Sequence, residues 1–322
     1  IILIYILFFR FKIHEMFGQN INFLNKQTVC ARLKNVGYPY NSKDLLLRNI
    51  HVKYHDRINE YYCDRLQNFK TEDKNAFTWL VRILRQKINK YDPKYSFILN
   101  NLNLALFNDE VDNGYPHTNS DIIFFHRWFV NKLKRYKETN NIMGAINECG
   151  SILIHEWVHV CQRKMQDFFN EFYINNWNFK KPNTLENKSI LDLNVRYNPD
   201  GPDTNWIFGN NILILSLYNK YARNIGDVSY VGVVCENMGN NNYRIPKYYD
   251  SFKLTSISAY NDLFSGVYSN HYHPNELCAE LLAIFYTKIM GTDHLNFTNL
   301  GYLKLIDWFE NNLTKIENKY KE

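Results

Sequence analysis

Between Ser42 and Gln67, apolar side chains recur at helical spacing, at Leu45, Leu46, Ile50, Val52, Tyr54, Ile58, Tyr61, Tyr62 and Leu66, which predicts one or two amphipathic helices. A further helix is predicted from Glu72 to Asn89, carrying Phe77, Leu80, Val81, Ile83 and Leu84 and ending ahead of Pro93. The texture changes at Tyr95. Leu102, Leu104 and Leu106 alternate with Asn101, Asn103 and Ala105, the two-residue period of a half-buried strand, and DIIFFH (Asp121 to His126) predicts a second strand. Helix returns from Arg127 to Lys137 and from Ile142 to beyond Phe169. The stretch from Asn176 to Trp206 is polar and rich in turn residues (KKPN, NPDG, GPD) and reads as a loop or surface insertion. NILILSLY and VSYVGVVC then read as strands, with the Asn-rich MGNNN as a turn. A helix from Pro274 to Met290 has Pro in its first turn and Gly291 just past its end, and an amphipathic helix from Leu300 to Tyr320 closes the chain.

The pattern divides the chain into a helical N-terminal region (1–94), a sheet followed by a long helix (95–175), and an insertion with strands followed by a helical C-terminal lobe (176–322). The fold class it predicts is α+β. At 322 residues with 45% hydrophobic, 16% aromatic and 22% charged side chains, the chain has the composition of a folded protein with a sizeable core. Disordered and fibrous readings are excluded. The net charge of +6 is modest, its densest cluster (Lys132, Lys134, Arg135, Lys137) suits a solvated helix face, and no nucleic-acid-reading module accompanies it. No nucleic acid partner is expected. The six cysteines include no C-x-x-C pair and are expected as buried free thiols. The opening IILIYILFF, nine residues or about 14 Å of helix, is too short for a hydrocarbon core of about 30 Å. Residues 1–12 read equally as the remnant of a signal or anchor segment or as a buried element, and membrane association is expected only through such a segment.

Chemistry is concentrated at SILIHEWVHVCQ, where His155, Glu156 and His159 form H-E-x-x-H. On a helix, residues four apart lie one turn above each other, so two imidazoles can grip one ion while the adjacent Glu faces the ion's open side. The surrounding Ile152, Leu153, Ile154, Trp157, Val158, Val160 and Cys161 predict a helix buried on most sides, with the two His at the edge of the core. His51 and His55 repeat the spacing without the Glu and read as ordinary surface or partly buried residues.

A catalytic zinc takes three protein ligands and keeps one position open, so a third ligand must come from elsewhere. A metzincin continuation is excluded, because Gln162 stands where Gly is required and Met165 where His is required. The helix starting at Pro274 carries NELCAE, with Glu276 and Glu280 four apart on one face. With this second motif the sequence resembles the gluzincin zinc metallopeptidases, in which a helix downstream of H-E-x-x-H carries N-E-x-x-S/A-D/E. The resemblance implies a zincin-like catalytic core, a mixed sheet packed on the H-E-x-x-H helix, with His155, His159 and Glu276 binding one Zn2+. It also implies that Glu280 hydrogen-bonds a zinc-bound imidazole. It covers two short segments, and Glu276 lies 117 positions after His159, a wider gap than in compact members of the family. His271, His273 and the GTD at 291–293, which resembles an aspzincin motif, rank behind Glu276 as third ligands; His273 fits better as a cap or as a lining of the site.

The resemblance further implies a tyrosine seven to nine residues before the glutamate ligand as oxyanion donor, which is Tyr268 here, with Tyr272 and His271 as fallbacks. The expected activity is zinc-dependent hydrolysis of a peptide or protein substrate with Glu156 as general base, the substrate lying against a sheet edge for which DIIFFH is the candidate. The alternative is a zincin-like binding or scaffold protein that has lost turnover, and the presence of Glu156 argues against it.

Overall fold

In this computed structural model the described residues are 21–34, 36–109, 111–191, 194–200, 205–267, 271–291 and 298–321. Residues 1–12, for which a signal or anchor remnant is one reading, lie outside them. The described chain begins with β1 (Ile21–Phe23), α1 (Lys26–Leu33), α2 (Ser42–Leu47) and α3 (Ile58–Arg65). The helical pattern over 42–67 is split between α2 and α3 because Asn49 takes a left-handed conformation (φ 55°) that ends the first helix. After β2 (Leu66–Gln67), α4 (Thr71–Tyr91) buries Phe77, Leu80, Val81, Leu84 and Ile88 along one stripe. The Asp73 carboxylate fixes its start by accepting the Lys70 N–H at 2.9 Å and pairing with Arg127 at 2.7 Å.

The next strands are β3 (Leu102–Phe107), β4 (His117–Asn119) and β5 (Ile122–His126). In the resulting mixed sheet β1 and β5 lie parallel to β3, β4 runs antiparallel to β5, and β2 joins antiparallel beside the C-terminal half of β3. DIIFFH is therefore internal rather than the expected edge. Its five strand residues are all buried because both faces of the sheet are covered, and the edge falls to the short, polar β4. Alternate residues serve opposite cores: Leu104, Leu106, Ile123 and Phe125 face the main core, while Ala105, Phe107, Ile122 and Phe124 pack towards α1 and α3.

After α5 (Arg127–Glu138), a short turn at Ile142–Gly144 and a π-helical turn at Ala145–Gly150 lead into α6 (Ser151–Lys164), which carries H-E-x-x-H. Gly150 lets α4 approach closely, since a Cβ there would meet Leu84 Cδ2 at 2.8 Å. The expected unbroken helix bends at Met165 (φ −129°), where α7 (Gln166–Trp177) begins.

The 176–260 region, expected as an insertion, contains β6 (Phe179–Lys180), β7 (Thr184–Glu186), β8 (Trp206–Phe208), β9 (Ile212–Tyr218), β10 (Val228–Val234), β11 (Glu236–Gly239), β12 (Asn242–Arg244) and β13 (Ser251–Lys253). They form an antiparallel sheet in the order β13-β10-β9-β8-β6 and a small one in the order β11-β12-β7. The helices α8 (Ser258–Phe264), α9 (Pro274–Ile289), α10 (Leu300–Asn311) and α11 (Leu313–Lys321) complete an α+β fold. The last two replace the single expected helix, dividing at Asn312. The main core joins α4, β3, β5, α6, α7, α9, α10 and α11, so the two motif helices share one packed interior.

Cys30 and Cys63 form a disulfide between α1 and α3, which corrects the expectation of free thiols for that pair; their Cα atoms lie 5.4 Å apart. The pairing is set by helix packing across 33 residues and leaves no local spacing signal. Cys149, Cys161, Cys235 and Cys278 are buried and free, as expected. Among the described residues no helix is long and apolar enough to cross a membrane.

Candidate metal centre

Packing of α6 against α9 brings both motifs to one point. His155 Nε2 lies 3.0 Å from His159 Nε2, Glu276 Oε2 lies 3.4 Å from His155 Nε2, and Glu276 Oε1 lies 3.6 Å from His159 Nε2. Ligands about 2.0 to 2.1 Å from a tetrahedral ion are roughly 3.3 Å apart; the two imidazole nitrogens lie near that separation, and a different carboxylate oxygen of Glu276 faces each of them. One ligand atom from each residue falls within 4.8 Å of the others, and this is the one such cluster among the described residues. His159 and Glu276 are buried while His155 stands at the cavity wall, as an ion with one open side demands.

Neighbouring side chains fix each ligand. His159 Nδ1 lies 2.8 Å from Gln162 Oε1, while the Gln162 amide N–H donates to Tyr173 Oη and to the Asn275 carbonyl, both at 2.9 Å. That pattern makes Nδ1 the protonated nitrogen and turns the Nε2 lone pair to the cluster. Glu280 Oε2 lies 3.5 Å from His155 Nδ1. Asn198, in the loop before β8, donates its side-chain N–H to Glu276 Oε1. Gln162 lies one turn after His159, so helical spacing alone could have found it; Asn198 is 78 positions from its partner and gave no signal.

Burial and neighbouring charges shift the groups of the cluster. Burial opposes ionisation of Glu276, but His159 and His155 outweigh it and hold the carboxyl well below its usual range. Burial likewise opposes a proton on His155, yet Glu276 and Glu280 hold that imidazole well above its usual range. Glu156 is pushed well above the carboxylate range, first by burial and then by the charge of Asp200, and its Oε2 is buried without a hydrogen-bond partner. A divalent cation beside it acts in the opposite sense and favours the carboxylate.

Two cavities meet at the cluster. The first, of about 520 Å³, is lined by Ser151, Ile152, His155, Glu156, Glu280 and Thr287, among others. The second, of about 290 Å³, is lined by His155, Glu156, Glu276, Arg196, Tyr230 and Asp200, among others. The edge strand β4 borders this second cavity, but its outward groups at Thr118 are already engaged: the N–H donates to Asp200 Oδ1 at 2.6 Å, and the carbonyl accepts from Arg163 at 3.0 Å.

The remaining expected site residues are distributed as follows. Tyr268 lies outside the described residues, as do Thr292 and Asp293 of the GTD segment. His273 caps α9, its Nδ1 accepting the Asn275 N–H at 3.1 Å. Tyr272 packs on Tyr230 with ring centroids 5.0 Å apart, and its hydroxyl accepts from Arg196 at 3.1 Å. The His271 carbonyl accepts the Tyr260 hydroxyl, and its ring lies edge-on to Tyr230. The chain matches no protein-family model, no curated protein and no solved structure.

Proposed function

We propose that this protein is a zinc-dependent metallopeptidase with a zincin-like core of the gluzincin kind. The observation that carries the reading is the convergence of His155, His159 and Glu276, one ligand atom of each within 4.8 Å of the others, with the orphaned carboxylate oxygen of Glu156 beside them. A zinc ion held there supplies two things, acidification of a water molecule and polarisation of a carbonyl oxygen. Glu156 takes the proton of the attacking water and passes it to the leaving amine. Gln162, Glu280 and Asn198 keep the three ligands oriented, so no side chain has to reorganise as the reaction proceeds. The substrate is a peptide or protein segment lying across the two cavities.

One observation favours the second reading, a metal-bound scaffold without turnover: Asp200 and Arg163 already cap the outward edge of β4, the surface on which a peptide would add as a strand. The deciding experiment measures zinc content and cleavage of a mixed peptide pool by the parent and by Glu156→Gln. The peptidase reading expects zinc in both and turnover lowered at least about 100-fold in the variant. Zinc in both with no cleavage by either assigns the scaffold role, and zinc in both with equal measurable cleavage removes Glu156 as the base.

A further inference from the structure

The charged side chains lining the second cavity pair off, with one exception. Arg48 is bridged to Asp112, Arg163 lies 3.4 Å from Asp200, and Glu276 and Glu156 flank the metal cluster. Arg196 remains. Its guanidinium donates to the Tyr272 hydroxyl at 3.1 Å and to the Ile225 carbonyl at 3.4 Å, both uncharged acceptors. Its Nε is buried without a hydrogen-bond partner, and no carboxylate of the described residues lies within 4.0 Å of it. Once a divalent cation offsets the charges of Glu276 and Glu156, Arg196 is the excess positive charge in the enclosed space. A partly buried cation without a counter-ion favours an incoming anion, and a guanidinium fork suits a carboxylate. Away from the cluster, the first cavity offers Asn147, Ser151, Ile152, Ala283, Ile284 and Thr287 in its lining, together with the Glu280 carboxylate, and neither Lys nor Arg.

We infer that Arg196 sets substrate specificity by binding a carboxylate on one side of the bond to be cleaved, while the other side of the cleft, which holds Glu280 and neither Lys nor Arg, does not select for one. The inference rests on the peptidase reading and adds a substrate class to it: peptides with an acidic group beside the scissile bond. That group is either an Asp or Glu side chain or a free C-terminus.

The test compares kcat/KM for peptide pools that differ only in Asp and Glu against Asn and Gln, each with a free or an amidated C-terminus. The parent is expected to prefer a carboxylate at least tenfold, and the free-acid and amidated arms tell which source supplies it. In Arg196→Gln the preference should collapse towards unity, mainly through KM. Arg196→Lys should keep part of it, and Arg196→Glu should shift it towards Lys-containing pools. A parent without preference, or Gln and Lys variants that behave alike, overturns the inference by assigning Arg196 to packing around Tyr272. Should no pool be cleaved, the peptidase reading fails and a binding measurement still decides the inference. Calorimetric titration of the zinc-loaded protein with N-acetylglutamate should show affinity at least tenfold weaker in Arg196→Gln, and equal affinities would sink it.

Discussion

Gln162 holds the tautomer of His159 through one contact of 2.8 Å and is itself anchored at two further points, so its loss leaves His159 Nδ1 without that hydrogen bond. Gln162→Leu is expected to weaken zinc binding roughly 10- to 100-fold, Glu280→Ala less, because Glu280 is more exposed and its contact is looser, and Glu276→Ala more than either. Competition with a chromophoric chelator gives the order directly. An order with Glu280→Ala worst would reassign the third ligand. At this scale much of the centre was legible. The pairs His155 and His159, and Glu276 and Glu280, are four apart on helices, and helix geometry alone places such residues on one face. Asn198 and Arg196 were illegible, because their roles arise from a turn-rich loop meeting helices distant in sequence.

Among the elements, the turn between β3 and β4 depends on Asp112, which is buried in a left-handed conformation (φ 47°) and bridged to Arg48 just past the end of α2. Tyr62 of α3 donates to the same carboxylate at 3.0 Å. Burial opposes ionisation of Asp112, but Arg48 outweighs it and holds the carboxyl below its usual value. The stabilisation is therefore complete above about pH 4, the unfolded-state pKa of an aspartate, and is lost as pH falls through the lower folded-state value. Asp112→Asn keeps the shape and the tolerance of positive φ but leaves Arg48 unpaired, and should lose about 3 kcal/mol at pH 7. Urea unfolding at pH 7 and pH 3 checks the sign: the deficit of the variant should narrow in acid, and a widening deficit contradicts the assignment. Elements with one strong period, such as α4 and α9, were readable. Strand β5 was readable as a strand but not as an internal one, because neighbours on both edges are a property of the sheet.

Across the whole molecule the metal centre joins chain segments on either side of the 176–260 region, His155 and His159 from α6 and Glu276 from α9. An ion that binds only the folded state at a hundred times its dissociation constant stabilises it by about 2.7 kcal/mol. Removing zinc with a chelator should therefore lower Tm by roughly 5 °C or more in the parent and in Glu156→Gln. Glu276→Ala should lose most of that dependence. A Tm indifferent to chelation in all three would mean that no ion ties the two helices together.

What the sequence determined by itself is what short-range geometry controls: the positions of the main helices and several strands, the α+β class, and a candidate set of metal ligands with a carboxylate beside them. Only the tertiary structure decided that the two motif helices share one core and aim their donors at one point, that β4 forms the sheet edge and is capped, that Cys30 meets Cys63, and that Arg196 faces the cluster across a cavity. The physical reason is reach. Periodicity encodes which side of an element is apolar, but which elements meet is settled by packing between segments far apart in the chain, and no local pattern records that choice.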